Sequence, residues 1–259
     1  NQAISSSLSG GTTLTFYSRT SNSVAIGADA LTAVIAGDNN TVIGKAAGDA
    51  LTTGSDNVII GQLAGSGMVD ADKTVVIGKH AGYSNMTSDA DGTIAIGYYA
   101  GNAITASTHG DENVVIGYES GLAITIGDGN TAVGTKSLTT EVGGNRSTAV
   151  GFHALRLQTN AGDADVYNVA IGYEAGDTLT SAAQCVIIGG QAGSGVMTAD
   201  NNTLVGFQSG KAITSGANNV AIGANAADEL VSGEKNVAIG VNSMHSADND
   251  ESNNVAIGY

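Results

Sequence analysis

The chain has 259 residues, with 24 acids against 9 Lys and Arg, 38 glycines, one cysteine and no proline, giving a formal charge of -15. Nucleic acid and anionic membranes are bound largely through Lys and Arg, so this charge argues against both as partners. No apolar run approaches the roughly 20 residues of a membrane helix, which argues against membrane insertion of this segment, and a lone cysteine forms no intrachain disulfide.

Residues 1–20 lack the pattern that fills the rest of the chain. Leu14 and Phe16 alternate with polar neighbours, which suits a degenerate first coil or a junction to an upstream region. The first residue is Asn1, and the chain stops one residue past a repeat glycine, so it reads as a segment of a longer protein.

From residue 21 to residue 259 one unit recurs. Its marker is the glycine closing Asn-Val-Ala-Ile-Gly, found at Gly27, Gly44, Gly61, Gly78, Gly97, Gly117, Gly134, Gly151, Gly172, Gly189, Gly206, Gly223, Gly240 and Gly258. The gaps between these glycines are 17, 17, 17, 19, 20, 17, 17, 21, 17, 17, 17, 17 and 18 residues, never fewer than 17. A fixed minimum that accepts only additions is the signature of a solenoid, whose coils stack because none can bury its apolar face alone. With strands about 4.8 Å apart, fourteen coils predict a rod of roughly 65 Å.

Positions within a coil are counted from its glycine. Position -1 is Ile or Val, and position -3 is Val, Thr or Ile, in all fourteen coils. These β-branched residues predict a short strand, and their spacing of two puts them on one face. Position -2 on the opposite face is apolar too, with eight alanines among fourteen residues. A strand with two apolar faces needs cover on both. The expectation is therefore that -1 and -3 fill the coil, while the alanines meet another copy of the chain. Position -4 is asparagine at Asn40, Asn57, Asn113, Asn130, Asn168, Asn202, Asn219, Asn236 and Asn254. Stacked amides predict a structural hydrogen-bond ladder, with asparagine also suited to a left-handed corner. Alanine or serine holds +3, glycine is common at +4, and +7 is mostly Leu, Ile, Val or Met. The last position predicts a second, outer strand.

Asn-Val-Ala-Ile-Gly at 168–172, 219–223, 236–240 and 254–258, with Asn22-Ser23-Val24-Ala25-Ile26-Gly27 in the first coil, resembles the head repeat of trimeric autotransporter adhesins (YadA-like). Similar repeats occur in phage tail fibres, and the Ala-Gly-x-x-Leu-Thr-x-Gly-x-x-Asn connection around Ala47–Asn57 fits them better. The resemblance implies an all-β, parallel β-solenoid of the left-handed β-roll type, here with 17-residue coils, assembled as a homotrimer. It also implies an extracellular location, on a virion or a bacterial cell surface, and a host-cell surface glycan or protein as partner. Adhesin head repeats are nearer fourteen residues, so the longer coil here favours a tail fibre over an adhesin head.

Little in the sequence points to catalysis. His80, His109, His153 and His245 fall at three different coil positions, and their spacing assembles neither a metal cluster nor a nucleophile triad. Cys185 takes an asparagine's place and reads as a spacer. Hexapeptide acyltransferases need a six-residue beat and ice-binding solenoids need threonine ladders; neither is present. The expectation is a protein that is not an enzyme and carries no cofactor. The additions in the long coils, 85–92, 106–112, 158–167 and 246–253, are acidic. They read first as solvated loops. Asp89, Asp91, Asp248 and Asp250 are the candidates if they hold a cation, though no full calcium loop is present. Position +1 carries Tyr98, Tyr118, Phe152, Tyr173 and Phe207. They predict either a seam between copies or, as a carbohydrate-binding module would need, rings that stack on a receptor sugar.

Overall fold

In the computed structural model, residues 2–8, 12–18, 22–105, 112–160, 162–245 and 250–259 are described. The chain is all-β and forms a parallel β-solenoid with one three-residue strand per coil. It divides into two compact units, Asn1–Gly129 and Asn130–Tyr259.

The first unit opens with an antiparallel hairpin, β1 (Gln2–Leu8) and β2 (Thr12–Ser18). Next come six coil strands: β3 (Val24–Ile26), β4 (Thr41–Ile43), β5 (Val58–Ile60), β6 (Val75–Ile77), β7 (Ile94–Ile96) and β8 (Val114–Ile116). Strand β2 meets β3 antiparallel, and from β3 to β8 every pairing is parallel and in register. The 19-residue coil still pairs Val75 with Ile94. Its extra residues leave the ladder as a 3-10 turn, Ser88–Ala90, so the additions never shift the strand.

The second unit contains β9 (Thr131–Val133), β10 (Gly144–Asn145), β11 (Thr148–Val150), β12 (Ala164–Asp165), β13 (Val169–Ile171), β14 (Val186–Ile188), β15 (Thr203–Val205), β16 (Val220–Ile222), β17 (Val237–Ile239) and β18 (Val255–Ile257). The coil strands pair in parallel in the order β9, β11, β13 and then β14 to β18. Strands β10 and β12 form a separate parallel pair beside the 21-residue coil.

The strand faces are reversed from the sequence expectation. Position -2 points into the coil: Ala25, Val42, Ile59, Ala170, Ile187 and Leu204 are all fully buried. Positions -1 and -3 point outward, half-buried or exposed, with Ile171 at 40% and Val24 at 48%. The cause is the narrow interior, where the -2 side chain shares its space with +4. Coils with Val42, Ile59, Val76, Val115, Ile187 or Leu204 at -2 all have glycine at +4. A Cβ on Gly48 would stand 3.0 Å from Ile59 Cδ1, and one on Gly193 would stand 2.9 Å from Leu204 Cδ1. Where +4 is Leu31, Leu138, Leu155 or Met244, position -2 is alanine. Where both are small, as at Ala95 with Gly101 and Ala170 with Gly176, the next coil reaches in: a Cβ on Gly101 would stand 2.9 Å from Val115 Cγ2 and one on Gly176 3.1 Å from Ile187 Cδ1, as close packing demands.

Position +7 completes the core, with Leu51, Met68, Ile104, Ile124, Leu179, Ile213 and Leu230 fully buried. Val196 is 57% exposed, and Met197 takes its place inside. Among the described residues no outer strand forms there. The returning arm is made of turns and bends joined by single bonds between coils, such as Thr52 N–H to the Val69 carbonyl at 2.7 Å.

The repeat glycine is obligatory for two reasons. Its φ lies near +135°, as at Gly61 (+137°) and Gly172 (+136°), a backbone open to glycine and costly to other residues. A Cβ on Gly61 would also stand 2.6 Å from the Gly78 carbonyl oxygen, and one on Gly172 2.8 Å from that of Gly189.

Candidate functional site

The asparagines run as an internal ladder. Asn40 Nδ2 donates to the Gly54 carbonyl (2.8 Å), fastening the start of its coil to the end. Its Oδ1 accepts from the Asn57 backbone N–H and from Asn57 Nδ2 (3.1 and 3.0 Å), linking the next coil. Asn113 bonds the Gly127 carbonyl, and Asn130 bonds that of Gly144. Asn168, Asn202, Asn219 and Asn236 repeat the scheme, and Asn236 Oδ1 accepts the Asn254 N–H. The corner itself is not the asparagine's. The left-handed residue is its predecessor at -5, as at Asn39, Asp56, Lys73 and Tyr167, with φ between 55° and 61°. Cys185 is buried in the ladder, and burial pushes its thiol up to about 11.

Several acids also have structural roles. Asp72 Oδ1 accepts the Ser55 N–H and Asp91 Oδ1 accepts the Asp72 N–H, both at 2.6 Å. Asp200 does the same for Ala183 at 2.8 Å. A carboxylate at -6 therefore caps the corner of the coil before it. Asp250 is exposed. The Asp248 side chain lies outside the described residues, as does that of Asp89, and so does His109. In the 21-residue coil, Asp163 accepts from Asn145 Nδ2 (2.7 Å), and Asp165 pairs with Arg146 and with the Tyr167 hydroxyl. Among the described residues, no three or more His, Cys, Asp or Glu groups gather as a metal centre would require.

The sequence reading passed over a buried polar centre in the second unit. Glu141 and Gln158 occupy +7, where most other coils place Leu, Ile, Val or Met, and both are fully buried. Glu141 Oε1 accepts from the backbone N–H groups of Val142 (2.9 Å), Gly143 (3.2 Å), Gly144 (2.8 Å) and Asn160 (3.0 Å). Its Oε2 accepts from Gln158 Nε2 (2.7 Å) and Asn160 Nδ2 (3.0 Å), and Asn168 donates to Gln158 Oε1. Six donors suit an acceptor-only carboxylate and offset its burial. The signal was there to read: two consecutive coils carry a polar residue at a mostly apolar address, with Asn85 the other exception.

The +1 aromatics are 41–55% exposed, and those in consecutive coils stack. In the first unit, Tyr98 and Tyr118 lie 5.4 Å apart between centroids with planes 8° apart; Tyr99 stacks on His80 beside them. In the second, Phe152 and Tyr173 lie 5.4 Å apart at 6°, and Phe152 also stacks on His153. Hydrogen bonds to Glu119 and Glu174 raise the phenols of Tyr118 and Tyr173. Beside the second row runs a +2 row: Gln191 Nε2 donates to Glu174 Oε2, and Gln208 Nε2 to Gln191 Oε1, both at 2.9 Å.

Among the described residues, no helix is long and apolar enough to cross a membrane. No family model, curated protein or solved structure matches the chain.

Proposed function

We propose that the chain is a structural segment of a homotrimeric fibre, a phage tail fibre in the first instance, serving as a rigid spacer and an attachment surface for a host cell. The head of a bacterial trimeric autotransporter adhesin is the alternative. The reading has no catalytic step and needs no cofactor.

One observation carries it: the outward face of the coil strands is apolar. Within the second unit, Ile171, Ile188 and Ile222 are 36–40% exposed in the single chain and sit among half-buried Val and Thr neighbours. A parallel sheet is ordinarily covered on both faces, and an apolar stripe of this kind calls for cover. A chain of charge -15 does not attract its own copies electrostatically, so association must run through this stripe. The repeat resemblance supports a fibre, and the 17-residue coil favours the tail-fibre form.

Sedimentation equilibrium tests the reading. The wild-type chain is expected at three chain masses, and Ile171→Asp with Ile222→Asp at one. A wild-type monomer in dilute buffer contradicts it.

A further inference from the structure

We infer that residues 142–144, with Asn160 of the next coil, form a carboxylate-binding cradle, and that Glu141 fills it as a ligand tethered to the chain. The site lies wholly within the second unit and is independent of the fibre reading above.

Four N–H groups converge on one oxygen atom. Val142, Gly143 and Gly144 donate to Glu141 Oε1 at 2.9, 3.2 and 2.8 Å, and the Asn160 N–H adds a fourth bond at 3.0 Å. Three successive backbone N–H groups turned toward one point make an anion-binding nest. A neutral carbonyl oxygen, with two lone pairs, is over-supplied by four donors, whereas the charge of a carboxylate strengthens each bond. Gln158 Nε2 and Asn160 Nδ2 reach Oε2 at 2.7 and 3.0 Å, so both oxygens of one carboxylate are recognised. All six donors are uncharged, and Glu141 is fully buried.

Gly144 keeps room for this group. It has no positive φ, so its backbone does not call for glycine. A Cβ there would nevertheless stand 2.9 Å from Glu141 Cδ and from Oε2. Any larger residue would press on the carboxylate.

The two sides of the cradle belong to different coils. Residues 142–144 follow Glu141 in its own 17-residue coil, and Asn160 lies in the addition of the 21-residue coil after it. Gly144 opens β10, which pairs with β12 of that addition, and the Val166 and Tyr167 N–H groups both donate to the Asn145 carbonyl. A carboxylate in the cradle therefore fastens the longest coil to its neighbour where the extra residues leave the ladder. Small monocarboxylates are the matching free ligands: Glu141→Ala removes Cγ, Cδ and two oxygens, the heavy atoms of acetate.

The test is rescue at about pH 7, where formate and acetate are anions. Glu141→Ala is expected to melt below the wild type. Formate or acetate should raise its midpoint with concentration, by roughly 3–6 °C at about ten times the Kd. The wild type, its cradle filled, should show no more than the general effect of salt, and neutral acetamide should rescue nothing. Hydrogen exchange gives a local readout: the Val166 and Tyr167 amides should lose protection in the variant and regain it with formate. Should Glu141→Ala not fold in plain buffer, a melting transition restored by refolding with formate or acetate supports the cradle, and failure of both overturns it. Equal shifts in variant and wild type, equal rescue by acetamide, or no rescue also overturn it.

Discussion

The coils around Leu51 and Leu179 and the coils around Glu141 and Gln158 place opposite chemistry at one address. In the first pair, +7 is a fully buried aliphatic side chain; in the second, it is a fully buried carboxylate and amide. Both coil strands keep their parallel register. The difference lies in what surrounds the position. Near Glu141 the chain supplies four backbone N–H groups and two side-chain amides, whereas Leu51 packs against Gly54, where an added Cβ would stand 2.7 Å from Leu51 Cδ1. The scaffold is thus indifferent to polarity at +7 as long as every buried polar atom is matched.

Exchanging the two chemistries breaks the comparison most sharply. Leu179→Glu puts a carboxylate at a fully buried aliphatic position, and a loss of about 5 kcal/mol or more in chemical denaturation is expected. Glu141→Leu takes the carboxylate from six donors, of which Gly143 N–H and Gln158 Nε2 keep the Asn160 carbonyl and Ser147 Oγ, with an expected loss of about 3–5 kcal/mol. A loss below about 1 kcal/mol in either case would mean that the site relaxes and that the comparison is hollow.

Two weaker tests sharpen it. The Cys185 thiol, held near 11 by burial, is expected to resist iodoacetamide in the native chain at about pH 8 and to react rapidly once unfolded. Rapid native labelling would show that the ladder opens. His245 lies at the exposed end of the scale: its Nδ1 is 2.5 Å from Asp228 Oδ1, and that hydrogen bond raises its pKa. Stability from a raised histidine is present below the unfolded value near 6.5 and fades as pH climbs through the folded one. The difference in melting temperature between wild type and His245→Gln should therefore be small but larger at about pH 5.5 than at about pH 8.5. A difference that grows with pH would reverse the sign and remove the pair.

The period, the strand and the glycine corner were legible because each leaves a mark at a fixed offset. Ile or Val before every repeat glycine could hardly be anything but a strand. Which face turned inward was not legible, since both faces are apolar and the answer depends on coil width. The clue was the exchange between -2 and +4, Ile59 with Gly65 but Ala149 with Leu155, which only matters once the two are known to touch. The left-handed corner was assigned one residue late, because Lys73 and Tyr167 adopt it with no compositional cue. The aromatic row could be seen in the sequence, whereas its stacking needed the coil spacing.

The most direct test of the whole account is a comparison of two neighbouring substitutions by thermal unfolding, Ala170→Asp and Ile171→Asp. Ala170 is fully buried and Ile171 is 40% exposed, so the account expects the first to collapse the melting transition while the second leaves each chain folded. An Ile171→Asp chain that loses its structure as readily as Ala170→Asp, or an Ala170→Asp chain that melts like the wild type, would contradict it.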